Sequence, residues 1–147
     1  MNKGWLRTLQ VFVWIVCLSH IAIGILVMLS PPLQQKVADL YGAQVEWTPQ
    51  FTYILRPLGA FMLILGVVGI AAALNPLRYR FIVYGFVGLL LIRVFQRIIF
   101  HDDIQQTFQI PEARNICAAG LFLLLAVILL FLMLKALKNR PATTGQQ

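Results

Sequence analysis

Acidic residues are scarce in this chain. Five aspartates and glutamates stand against twelve lysines and arginines in 147 residues, and all five (Asp39, Glu46, Asp102, Asp103 and Glu112) lie outside the long apolar runs. A small proton-coupled exporter is expected to hold a titrating carboxylate inside the membrane, so the sequence argues against that class. Cysteine and histidine are scarcer still, at two each. Cys17 sits mid-way along the first apolar run and Cys117 near the start of the last. They are expected to be packed thiols rather than a disulfide, and neither has a metal-ligand neighbour. His20 falls mid-run and His101 at a run's end, so paired axial ligation of a haem is not expected. No zinc cluster, nucleophile–base pair, phosphate loop or redox dithiol can be assembled. Nothing points to a catalytic centre, and no cofactor is implied by the residues themselves.

Apolar residues, by contrast, make up 60% of the chain, charged residues only 12%, and the mean hydropathy is +0.82. These values belong to polytopic membrane proteins. Four apolar runs, at 9–29, 51–74, 81–100 and 116–134, are each near the roughly 20 residues that a bilayer core requires. The expected fold is an all-α membrane protein, a four-transmembrane-helix bundle forming one domain over 1–138. The first run follows Lys3 and Arg7 but is too long for a signal peptide and has no small-residue cleavage site, so it is expected to stay. Residues 139–147 have no apolar pattern and are expected to form a disordered cytoplasmic tail.

Charge sets the orientation. Lys3 and Arg7, then Arg78 and Arg80, then Lys135, Lys138 and Arg140 all fall on one side of the four runs, with no acid among them. The positive-inside rule places that side, with both termini, in the cytoplasm. The high net charge is thereby accounted for without nucleic acid. Its expected partners are the bilayer and its anionic lipids.

On the other side, Ser30-Pro31-Pro32 ends the first run and can begin a short amphipathic helix over 31–41, with Ser30 as its cap. Leu33, Val37, Leu40 and Tyr41 share one face, Gln34, Gln35, Lys36 and Asp39 lie elsewhere, and Gly42 offers a stop. Whether this helix rests on lipid or roofs the bundle is left open by its pattern. In the second run Gly66, Gly69 and Ala73 offer a narrow surface for close packing, and Gly85 and Gly88 are the matching positions in the third. The short link between those runs predicts that they are antiparallel neighbours. His101 to Arg114 reads as a polar loop, with Pro111 and Glu112 suited to the first turn of the last helix.

The third run carries the polar chemistry. Arg93, Arg97 and His101 follow one another at helical steps of four, with Gln96 beside them. A guanidinium in a lipid-facing position costs about 2.5 to 3.5 kcal/mol even on the insertion scale, so these arginines require a partner. Arg56, near the start of the second run, and His20, at a similar depth in the first, are candidate members of the same cationic pocket. Two readings follow. Glu46, Asp102 or Asp103 can fold down and neutralise the arginines as a structural ion-pair network. Alternatively an anionic headgroup, an acidic small molecule or a quinone carbonyl fills the site.

The order of features, a first span closed by proline, then Arg56-Pro57-Leu58-Gly59-Ala60, Gly66, and Asn75-Pro76 at the end of the second span, resembles the DoxX-like group of small four-helix bacterial membrane proteins. It is also similar to BphX-like proteins. The resemblance implies a bacterial inner-membrane bundle and, in the DoxX branch, an accessory subunit of quinone-linked oxidation. It would act through partner membrane subunits or as a homo-oligomer. No catalytic residue of that group can be placed on this sequence.

Overall fold

The computed structural model describes residues 3–138; the tail expected over 139–147 lies outside them. Six helices run in chain order, α1 Lys3–Leu29, α2 Pro31–Tyr41, α3 Pro49–Leu74, α4 Arg80–Ile99, α5 His101–Phe108 and α6 Glu112–Lys138. There is no strand among the described residues. Four of the six, α1, α3, α4 and α6, are long and apolar enough to cross a membrane, which makes this an all-α, multi-pass membrane bundle.

Helix boundaries follow local chemistry. Continuing α1 past Leu29 would require an N–H from residue 31 for the carbonyl of Val27, and Pro31 has none. The side chain of Gln34 supplies it, its Nε2 donating to Val27 O at 2.8 Å and to Thr52 O on α3 at 3.3 Å. Ser30 occupies the position before α2 as expected, but its side chain makes no capping bond. Its carbonyl accepts instead, from the N–H groups of Leu33 and Gln34. Gly42 closes α2 in the left-handed conformation at φ 75°, its N–H donating to Asp39 O. Thr48 caps α3 through Oγ, which accepts from Phe51 N at 3.2 Å, and Asn75 Oδ1 accepts from Arg78 N in the link to α4.

The bundle is built from two pairs. α1 packs along α3, α4 packs along α6, and α3 touches α4 only slightly despite the short link. The second and third spans are neighbours, as the short link predicts, with Gly69 against Phe86, but they are not the main pairing. Close approach goes to the α1–α3 seam, where Gly24 faces Gly59: a methyl group at Gly24 would sit 2.7 Å from Leu63 N and 2.8 Å from Gly59 O. Gly85 and Gly88 have open space where a side chain would go and do not form the narrow surface expected of them.

The two pairs meet tightly only at the basic end, that of Arg7, Arg78, Arg80, Lys135 and Lys138. The core there comprises Leu9, Val13 and Cys17 of α1, Ala72 and Ala73 of α3, Val83 and Phe86 of α4, and Leu129 and Met133 of α6. Cys17 is a packed thiol, as expected, but Cys117 is free and exposed. At the opposite end α2, the 42–48 segment and α5 lie across the bundle, tied together by Gln44 N donating to Phe108 O at 2.8 Å. The stretch read as a polar loop is thus helical over 101–108. Pro111 lies just before α6, its carbonyl accepting from Asn115 N.

Candidate functional site: a roofed cavity with two arginines in its wall

Because the pairs separate toward the roofed end, a cavity of about 400 Å³ opens between them. Its walls are Ile23 and Val27 of α1, Leu55, Leu58 and Met62 of α3, and Phe122 of α6. Its roof includes Val37, Ala38 and Tyr41 of α2, and Ile104 and Phe108 of α5. The short helix over 31–41 is accordingly a lid on the bundle, which decides between the two placements its pattern allowed. Into this apolar chamber α4 contributes Arg93, Gln96 and Arg97.

Both guanidiniums are held by neutral groups. Arg97 Nη1 donates to Asn115 Oδ1 at 2.7 Å, and Asn115 Nδ2 returns a bond to Arg97 O at 3.1 Å. The same Nδ2 lies 3.2 Å from His101 Nδ1; an amide nitrogen only donates, so that ring nitrogen accepts. Arg93 stands 5.4 Å from the centre of the Phe122 ring, and Arg97 5.6 Å from it on the same residue and 6.0 Å from Tyr41. One aromatic ring thus serves two cations one helical turn apart. A cation–π contact contributes about 0.5 to 2 kcal/mol, whereas withdrawing an ion from water costs several. Rings and one amide orient the charges without cancelling them.

The expected internal neutralisation is not formed. Glu46, Asp102 and Asp103 are exposed, and among the described residues no carboxylate pairs with Arg93 or Arg97. Asp102 and Asp103 instead occupy the first turn of α5, where the helix dipole favours them. Arg56 does not join the cavity: it is exposed, in a separate depression with Gln35, Trp47 and Tyr53. His20 is buried, its Nδ1 2.8 Å from Val16 O and its ring 5.7 Å from that of Phe86. A carbonyl only accepts, so Nδ1 carries the proton, and Nε2 is buried without a hydrogen-bond partner among the described residues. His20 lies outside the cavity lining. Of the five candidate pocket residues, the structure brings together Arg93, Gln96 and Arg97.

Two residues with large roles, Asn115 and Gln34, escaped the sequence reading. Asn115 is buried and holds Arg97; its signal was its place one turn after Pro111, facing inward from the start of α6. Gln34 is buried at 1% exposure although its helix pattern put it on a polar face. The missing N–H of Pro31 was the available clue. Gln34 also lines the cavity, and its Oε1 has no hydrogen-bond partner among the described residues. Comparison with known proteins finds no matching family model, no matching curated protein and no matching solved structure.

Proposed function

We propose that this protein binds an acidic amphiphile without a catalytic centre of its own, as a carrier or accessory subunit. In this reading the cavity faces the outer leaflet of a bacterial inner membrane. The observation that carries the reading is the pairing of an apolar chamber with Arg93 and Arg97, whose partners among the described residues are neutral. A carboxylate or phosphate supplies what the wall lacks, a charge-assisted and bidentate partner for guanidinium. The apolar residues of the wall suit the part of an alkyl chain next to the acidic head, and the volume lies at the small end of the range for small-molecule sites, roughly 300 to 1,000 Å³. Orientation is supported by the basic residues Arg7, Arg78, Arg80, Lys135 and Lys138 at the end opposite the roof.

The test is thermal unfolding of the purified protein in neutral detergent with three probes of equal chain length: an alkyl carboxylate, an alkyl alcohol and an alkyl trimethylammonium. Ligand at a hundredfold its dissociation constant adds about 2.7 kcal/mol of stability, so the carboxylate is expected to raise the melting temperature by several degrees, in wild type but not in Arg93→Leu. Equal shifts with all three probes would contradict the reading.

A second reading is a quinone site in an accessory subunit of DoxX-like type. It is favoured by the rings of Tyr41, Phe51, Phe108 and Phe122 in the same lining, with the arginines polarising a quinone carbonyl. His20, facing away into the α1–α4 packing, lends it no support. Displacement of a bound alkyl carboxylate by a short-chain ubiquinone would favour this reading over the first.

A further inference from the structure

The roof and the rim of the cavity differ in a way that says where its occupant comes from. Toward water the chamber is covered by apolar side chains of α2, α5 and the 42–48 segment, among them Val37, Tyr41, Trp47, Ile104 and Phe108, and Ile110 in the same cover is buried. Of all the lining residues only Leu58 on α3 and Gln96 on α4 are exposed. A residue that both lines a cavity and is open to the surroundings marks its rim, so the rim lies between α3 and α4. Those are the two consecutive spanning helices that hardly pack together. Gln96 lies in the last turn of α4 and Leu58 nine residues into α3, about 13 Å along its axis at 1.5 Å per residue, so the rim runs from near the roofed end down the α3 side into the hydrocarbon layer.

From these placements we infer that the cavity opens sideways into the bilayer and takes a lipid acid directly from it. The acidic head enters between Leu58 and Gln96 to reach Arg93 and Arg97, and the alkyl chain trails back out between α3 and α4. This rests on the proposed function and adds the class and source of the ligand. A cavity of about 400 Å³ is small for a molecule with long chains, so most of the chain stays in lipid, where its burial is already complete. The chemistry that fits is a carboxylate or phosphate head on a long chain, which a free fatty acid and an anionic phospholipid share. Gln96, at the rim, offers an amide to the head as it passes.

The experiment uses the full chain in vesicles of zwitterionic phosphatidylcholine, with palmitic acid carrying a diazirine in the third of its chain nearest the carboxylate. After illumination the cross-links are expected on lipid-facing residues of α3 and α4 beside Leu58 and Gln96. Their yield is expected to fall several-fold in Leu58→Trp, which narrows the rim, and about tenfold in Arg93→Leu, as loss of a charged hydrogen bond would give. Competition by unlabelled oleate but not by phosphatidic acid assigns the fatty acid as source, and the reverse assigns the phospholipid; either outcome supports lateral access. Acid-specific cross-links confined to α2 and α5 would overturn lateral access while leaving the binding function standing. If the matching diazirine alcohol labels the same residues as strongly as the acid, the acid-binding function itself falls. A correctly inserted wild type that gives only labelling spread evenly over the four spans overturns both.

Discussion

The two ends of this bundle use the same four helices in opposite ways. At the basic end small and medium residues from all four (Leu9, Val13, Ala72, Ala73, Val83, Leu129 and Met133) interlock with essentially no exposure. At the roofed end the same helices bring in the two cations Arg93 and Arg97 beside Phe51, Met62 and Phe122, and enclose a chamber instead of a core. The contrast shows how one four-helix bundle can combine a close-packed core with an open chamber. One half of the bundle supplies the stability that the other half, with two cations and few compensating contacts, does not. Placement of the arginines away from the close-packed half follows from the same physics, since a guanidinium cannot be satisfied among methyl groups.

The contrast can be broken most severely at the seam that runs between α1 and α3. Gly24→Val places carbon against the backbone of Leu63 and Gly59, and is expected to cost about 3 kcal/mol or more. Loss of folded protein by size-exclusion in detergent would report it. Next, the same substitution is to be made at each end. Met133→Ala, at 0% exposure in the core, is expected to cost about 3 kcal/mol, whereas Met62→Ala, in the cavity wall, is expected to cost less than about 1. Equal losses in a chemical-denaturation series would erase the distinction between core and chamber.

A third change sharpens the chemistry of the site. Asn115→Asp puts a carboxylate where Arg97 now meets a neutral oxygen at 2.7 Å. The internal anion is expected to weaken binding of an alkyl carboxylate by about tenfold, the effect of about 1.4 kcal/mol, as read by the shift in melting temperature. Unchanged binding would place the acid elsewhere. The smallest effect belongs to Gly85→Ala and Gly88→Ala. With open space at both positions, each is expected to stabilise α4 by about 0.5 to 1 kcal/mol; destabilisation would mean that a partner packs there.

How much of this was legible in the sequence depended on how local the determining physics was. The four spans follow from composition and length alone, and the boundary at Ser30-Pro31-Pro32 from the missing N–H groups. Arg93, Gln96 and Arg97 share a face because helical steps of four put them there, with no need of the rest of the fold. Pairing was another matter. Gly69 and Gly85 look alike in a string of residues, yet a methyl group at Gly69 would meet Cys17 Sγ at 2.5 Å and one at Gly85 would meet nothing, a difference set by which helix lies alongside. Arg56 and His20 were grouped with the other arginines by depth, but depth fixes only one coordinate of three. The rotation of α1 and α3 turns one side chain outward and packs the other against Phe86. Gln34 shows the converse: a polar residue drawn inside because Pro31 leaves the Val27 carbonyl at the end of α1 without an N–H, which the Gln34 amide supplies while also reaching Thr52 O.

The most direct measurement is native mass spectrometry of the protein released gently from its own membrane, wild type beside Arg93→Leu. The expected result is a wild-type peak carrying one acidic lipid, with the adduct lost from a variant that is otherwise inserted and folded. A wild type that leaves the membrane bare, or a variant that keeps the same adduct, would contradict the claim that Arg93 and Arg97 await an anion from outside the chain.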